Sequence, residues 1–335
     1  MPRAEFHVPF DVRDNPDLPS ARAHNLDWLE RFGLLTSEGA ARQYLTMNVA
    51  DFCSMAHPDA RGQDLDTAVD AWSWTAFPDD LFDGAAGRDP ELVARICRRF
   101  VAIIEGWPHT EPDTASPLET ALHDLWGRLT AGMPPAWVQH RAGLWTQYLL
   151  AHLDEAGNRV DAHPPRPQDY TRMRRVSIAV WPTLLIERTG RFHVPAALVG
   201  RPDWRELHET WIDIVSYVND VYSLEKDESF GDVNNIVTVL QHYRHLTRTQ
   251  AIEHVQHLAL ADTTKFVQLR DRIADCEYVK GLNPPARQDV DRYLTGMGDY
   301  ASANYFYSRH VPRYSPHGGT TTERLSYVQH LQDHR

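Results

Sequence analysis

Cysteine is scarce in this chain: Cys53, Cys97 and Cys276 are the only three in 335 residues. They are odd in number, far apart and without a Cys-x-x-Cys pair, which argues against a disulfide framework and for free thiols in a reducing compartment. Long apolar runs are missing as well. No stretch reaches the roughly 18 apolar residues of a membrane span, and the N-terminus, Met1-Pro2-Arg3-Ala4-Glu5, carries no apolar signal core. Neither membrane insertion nor export is indicated, so the expected location is cytoplasmic. Basic charge is short: 34 Lys and Arg face 46 Asp and Glu, a formal net charge of −12. A nucleic-acid partner needs a basic face, so that function class is excluded. Runs of alternating β-branched residues are absent, which predicts essentially no sheet. No repeat of fixed period is evident.

What is present is helical. Hydrophobic residues make up 42% of the chain, with ten Trp and thirteen Tyr, enough for a large core. Residues 1–20 are rich in Pro and Asp and read as an extended arm. From Ala21 to about residue 314 the pattern predicts one all-α domain. Its helices are expected near 21–35, 38–55, 65–83, 89–107, 117–131, 135–155, 169–189, 203–229, 232–245, 248–279 and 285–309. Residues 156–168, with Pro164, Pro165 and Pro167, read as a surface connection. Residues 315–335, with Gly318-Gly319, read as a mobile tail.

Two of these helices carry chemistry. In the run from Trp204, the residues Trp211, Ile214, Val215, Val218, Val221 and Tyr222 recur three and four apart and define a buried face. Asn219, Ser223 and Asp227 fall at i, i+4 and i+8, drifting only about 40° per step. An amide oxygen, a hydroxyl and a carboxylate in one column are hard oxygen ligands, the set that suits Mg²⁺ bound together with phosphates. Lys226, one residue round, reaches the same anion. Upstream, Asp79, Asp80 and Asp83 read D-D-x-x-D, and on a helix their carboxylates share an arc of about 100°. Charges that close repel, and a bound cation relieves them. Each cluster has a plainer reading, a polar edge on a core helix or acids at a helix start after Pro78. Trp72, Trp74, Phe77 and Phe82 around the aspartates favour the shared metal-site reading. An acidic chain binds a diphosphate when metal ions invert the local sign.

In this order the motifs resemble those of bacterial class I terpene synthases, which pair an aspartate-rich motif with a downstream N-D-x-x-S-x-x-x-E. The resemblance extends to Asn15-Pro16, Ala21-Arg22, Trp28 and Phe32-Gly33-Leu34 at the N-terminus, to Arg174-Arg175, and to Arg313-Tyr314, so it covers residues 8–315. It implies a single-domain antiparallel helical barrel around a deep apolar cavity, three Mg²⁺ ions, and a linear prenyl diphosphate substrate, farnesyl diphosphate first. The implied product is a cyclic terpene hydrocarbon or alcohol, with diphosphate released. Geranylgeranyl diphosphate as substrate and an inactive prenyl-diphosphate-binding relative stand as alternatives. A chain-elongating prenyltransferase would need a second aspartate-rich motif where Asn219 and Ser223 stand. By resemblance, Asp79, Asp80, Asp83, Asn219, Ser223 and Asp227 hold metal, while Arg174, Lys226, Arg313 and Tyr314 hold diphosphate. Arg172 and Arg175 compete with Arg174 for its role. Ser177 and Ile178 sit where the family links diphosphate sensing to ionisation. Phe77, Trp181, Tyr305, Phe306 and Tyr307 are candidates for the cavity wall. Homodimers are frequent in such families.

Three departures stand out. Asp227 replaces the usual Glu, Pro78 precedes the first motif and predicts a local kink, and Ala179-Val180 occupy the place of the family's glycine. His242, His245, His254 and His257 pair at i, i+3 but lack a zinc-site arrangement and read as solvated positions.

Overall fold

The computed structural model of the chain describes residues 4–106, 115–314, 328 and 331. Among these residues there is no strand; sixteen α-helices and two short 3₁₀ turns account for the regular structure. In order they are α1 (Leu18–Arg31), α2 (Glu38–Leu45), α3 (Val49–Ala56), α4 (Gln63–Asp83), α5 (Pro90–Ile104), α6 (Pro117–Thr130), α7 (Pro135–Asp161), α8 (Pro167–Ser177) and α9 (Val180–Thr183). Then follow α10 (Ile186–Gly190), α11 (Ala196–Val199), α12 (Pro202–Phe230), α13 (Ile236–Arg244), α14 (Arg248–Ala274), α15 (Glu277–Lys280) and α16 (Pro284–His310). The tail 315–335 lies outside the described residues apart from Val328 and Leu331.

Proline starts many of these helices. Pro90, Pro117, Pro135, Pro167, Pro202 and Pro284 each occupy the first helical position, where a missing N–H costs nothing. Side-chain caps add to this: Ser116 with Glu119 and Thr247 with Gln250 close reciprocal capping boxes on α6 and α14.

Several predicted helices are divided. The expected helix 38–55 breaks at Asn48, which is left-handed at φ 49° and separates α2 from α3. The expected helix 169–189 becomes α8, α9 and α10, with Ala179 left-handed at φ 58°. The expected connection 156–168 begins too early, because α7 runs to Asp161 before Ala162 ends it at φ 48°. Residues 232–235 are a loop rather than the start of α13, and α14 stops at Ala274 before α15. Pro78 does not end α4, which continues as one helix to Asp83.

The core lies between α4 and the helices around it. α4 is buried on nearly all sides, as a central helix must be. It packs against α1, α3 and α6, while α12 packs against α14 and α16, α16 against α3, and α7 against α5 and α8. Trp74 and Trp145 meet at 5.7 Å in this core, and Trp211 meets Tyr300 at 5.2 Å. Midway along α4, Asp70 is fully buried and paired with Asn25, His24 and Arg128.

Residues 4–15, within the expected extended arm, form a strap. It crosses three helices: Tyr222 of α12 donates to Ala4 O, Gln256 of α14 donates to Glu5 O, and Phe6 N donates to the Tyr305 hydroxyl of α16. Phe6 is buried among Val218, Ala259, Tyr222 and Tyr305. Phe10 meets Phe266 edge-on at 5.9 Å and presses on Gly298, where a Cβ would stand 3.1 Å from its ring.

Candidate active site

The C-terminal end of α4 and the C-terminal half of α12 face one another across a cleft of about 970 Å³, counting the solvent at its mouth. On the α4 side, one carboxylate oxygen from each of Asp79, Asp80 and Asp83 lies within 4.8 Å of the others. Asp80 is buried, and Asp79 is half exposed. The turn after Asp83 admits no side chain: a Cβ on Gly87 would stand 1.6 Å from Phe82 O. Arg313 grips Asp80 with both amino groups, one of them at 2.8 Å, and reaches Asp79 at 3.2 Å. Lys226 of α12 crosses the cleft to Asp83, and Arg159 of α7 stands 3.7 Å from the same carboxylate. Burial pushes Asp83 up, but Lys226 and Arg159 outweigh it and hold the acid below the usual carboxylate range.

On the α12 side, Asn219, Ser223, Lys226 and Asp227 all line the cleft. Asn219 accepts from Arg174 at 2.7 Å and donates to the Tyr314 hydroxyl at 2.9 Å. Asp227 leans back one turn: its Oδ2 accepts from Ser223 at 2.8 Å and from Asn235 at 2.9 Å. Burial pushes Asp227 up to about 7, Lys226 opposes that, and Asp232 and Asp83 reinforce it. Glu228, the neighbouring acid, points to the surface and pairs with Arg248 at 2.8 Å. Asp220 also turns away from the cleft. Only 1% exposed, it accepts from Arg174, Tyr170 and the Ile236 N–H.

The three arginines of α8 separate by position. Arg174 lines the cleft; Arg175 is held outside by Asp213 and Glu209; Arg172 is exposed and 3.6 Å from Asp169. The break after α8 brings Ser177, Ile178 and Ala179 to the lining. The Ser177 hydroxyl is buried there without a hydrogen-bond partner among the described residues.

Of the five wall candidates, Tyr307 lines the cleft. It belongs to an aromatic panel with Phe52, Trp72 and Tyr300, in which Phe52 lies 5.1 to 5.4 Å from the other three rings. The remaining candidates sit elsewhere. Phe77 is fully buried and stacked on Tyr44; Trp181 is stacked on His208; Tyr305 is under the N-terminal strap; Phe306 is 43% exposed. Tyr305, Phe306 and Tyr307 are successive on α16, so about 100° separates each from the next and one of them faces inward. His242, His245 and His257 are exposed. Among the described residues no group of three His, Cys or acids other than Asp79, Asp80 and Asp83 comes together for a metal.

Sequence reasoning missed Glu155, Arg159, Asp232 and Asn234, which also line the cleft. Arg159 donates to Asp232 at 2.7 and 2.9 Å, yet its Nη1 is buried without a partner among the described residues. The available signal was the spacing of His152, Glu155 and Arg159 on one face of α7, hidden because that helix was expected to stop at residue 155.

The arrangement fits a divalent metal holding a diphosphate. Hard oxygen donors converge from two helices, cations stand among them, and Arg159 Nη1 and Ser177 Oγ await partners in the same lining. The chain is similar to known proteins. The profile described as terpene synthase family 2, C-terminal metal binding, matches residues 70–263. Pentalenene synthase of Streptomyces exfoliatus is 32% identical over 335 residues, 99% of this chain and 98% of that protein. A (−)-β-caryophyllene synthase of Saccharothrix espanaensis, described as (2E,6E)-farnesyl diphosphate cyclizing, is 29% identical over 98% of this chain and 94% of its own. The crystal structure of germacradien-4-ol synthase from Streptomyces citricolor superposes with a TM-score of 0.81 at 31% identity, covering 92% of this chain and 99% of that one.

Proposed function

We infer from the terpene synthase family, to which this chain belongs, that the cleft ionises farnesyl diphosphate and cyclises the resulting cation. The observation that carries this reading is the pair of oxygen-rich motifs facing each other across one cleft, with cations between them. Asp79, Asp80 and Asp83 on one side, and Asn219, Ser223 and Asp227 on the other, would hold Mg²⁺, three ions by resemblance. Bound there, the metal supplies Lewis-acid charge to the departing diphosphate. The chain's own groups do the rest. Arg174, Lys226, Arg313 and the Tyr314 hydroxyl hold phosphate oxygens, and Arg159 Nη1 adds a fifth donor. As the allylic C–O bond breaks, its electron pair leaves with diphosphate and the carbon skeleton keeps the positive charge. Phe52, Trp72, Tyr300 and Tyr307 face that cation with π-systems that stabilise it without capturing it. These aromatic faces shield the cation from water until a proton is lost or one water is admitted. Farnesyl diphosphate is favoured because the caryophyllene synthase relative is described as cyclising it.

The test is incubation of the purified protein with Mg²⁺ and, separately, geranyl, farnesyl or geranylgeranyl diphosphate, followed by gas chromatography and mass spectrometry. A cyclic product from farnesyl diphosphate is expected, abolished by EDTA and by Asp80→Asn. A cyclic product from geranylgeranyl diphosphate alone would replace the chain length, and diphosphate binding without product from any substrate would overturn the cyclase reading.

A further inference from the structure

The short third acid of the second motif has a support in the loop that follows it. Asn235 is fully buried, and its side chain is used at both ends. Its Oδ1 accepts from Val237 N at 2.9 Å and caps α13. Its Nδ2 donates to Asp220 O at 2.8 Å and to Asp227 Oδ2 at 2.9 Å. The loop that presents it is fixed in turn. Gly231 leaves α12 in the left-handed region at φ 66°. Asp232 is held by Arg159, and Asn234 by Asn158 and Glu155 O.

We propose that Asn235 is a positioning residue for metal binding, aiming the Asp227 carboxylate into the cleft and offsetting the methylene that Asp lacks relative to Glu. The inference rests on the reading of Asp227 as a metal ligand. A free Asp carboxylate on a helix turns about its side-chain torsions, and each ligand atom that must be ordered on binding weakens the complex. Here Oδ2 is occupied by two donors, Ser223 and Asn235, from opposite directions along the chain. The carboxylate is therefore fixed before any metal arrives, and Oδ1 is left without a hydrogen bond among the described residues. Removing such an outer partner typically costs about 10- to 100-fold in metal affinity. Asn235 belongs to no motif: it lies eight residues beyond Asp227, past the end of the helix, and becomes visible only because the loop folds back.

The experiment measures Mn²⁺ binding by electron paramagnetic resonance in the presence of inorganic diphosphate, with no prenyl substrate. Parent, Asn235→Ser, Asp227→Asn and the double variant Asn235→Ser/Asp227→Glu are compared, and urea unfolding of each metal-free protein is recorded. Serine keeps a capping oxygen for α13 but is too short to reach Asp227. Asn235→Ser is expected to weaken Mn²⁺ binding about 10-fold or more, and the double variant to recover to within about threefold because the longer acid reaches without help. Recovery of that kind distinguishes aiming of the acid from general support of the loop. Unchanged Mn²⁺ affinity in Asn235→Ser, or a loss that Asp227→Glu does not restore, would overturn the proposal. Tight binding retained by Asp227→Asn would instead remove the reading of Asp227 as a ligand, on which the proposal stands.

Discussion

At the scale of single residues, neighbours in sequence have opposite duties. Asn219 faces the cleft while Asp220, one residue on, is buried behind it as the counter-charge of Arg174. About 100° of helix separates the two side chains, which is why they diverge. Arg174 therefore stands between a structural acid and the cleft, bonding Asp220 with Nε at 3.0 Å and Asn219 with Nη2 at 2.7 Å. Replacing it with Gln leaves the Asp220 charge with only Tyr170 and the Ile236 N–H. An Arg174→Gln protein is expected to lose about 3 kcal/mol of stability, the usual cost of removing one partner of a buried pair, together with most of its turnover. Urea unfolding and product assays check the two losses separately. The polar column of α12 was legible in the sequence because i, i+4 spacing alone puts three residues on one side. Asn235 and Arg159 were not, since their places depend on a loop and on the true length of α7.

Secondary-structure elements show a similar division. Apolar periodicity marks the long helices, and α12 and α16 fall within a residue or two of expectation. Their breaks are less visible. Asn48, Ala179 and His245 adopt left-handed conformations without the glycine or proline that would announce them. Ala179 matters most, since the break it makes delivers Ser177 and Ile178 to the cleft. At φ 58° the Ala179 backbone costs an L-residue about 1–2 kcal/mol that glycine would not incur. Ala179→Gly is expected to gain about 0.5 kcal/mol after the added flexibility of the unfolded chain is subtracted. Ala179→Val, β-branched in the same conformation, is expected to lose 1 kcal/mol or more, about the lower end of that penalty. Urea unfolding midpoints of the two variants should move in opposite directions. The aromatic wall was the least legible part. The rotation of α16 decides which of Tyr305, Phe306 and Tyr307 turns inward, and composition carries no information about it.

For the whole molecule, buried imidazoles make stability depend on acid. Burial lowers His57 and His208 to about 4, with Arg141 adding to both. His208 is held between Trp204 O and the Tyr293 hydroxyl, each at 2.8 Å, and is stacked on Trp181. The unfolded chain takes up these protons near pH 6.5 and the folded one only near pH 4, so stability falls as pH drops through that window. His208→Gln keeps a donor and an acceptor but does not titrate. Between pH 7 and pH 4 the parent is expected to lose on the order of 3 kcal/mol more than the variant, measured by urea unfolding at each pH. Carboxylates raised by burial, such as Asp262 and Asp299 at about 6, act in the opposite direction, so the comparison with the variant isolates the histidine. The N-terminal strap has a consequence in time. Its partners Tyr222, Gln256, Ser302 and Tyr305 are synthesised long after it, the last of them 299 residues beyond Phe6. At roughly 5–20 residues per second, this segment waits about 15–60 s after its own synthesis for its groove to be complete. Its docking is thus a late event of folding, and the strap reports whether α16 has been made.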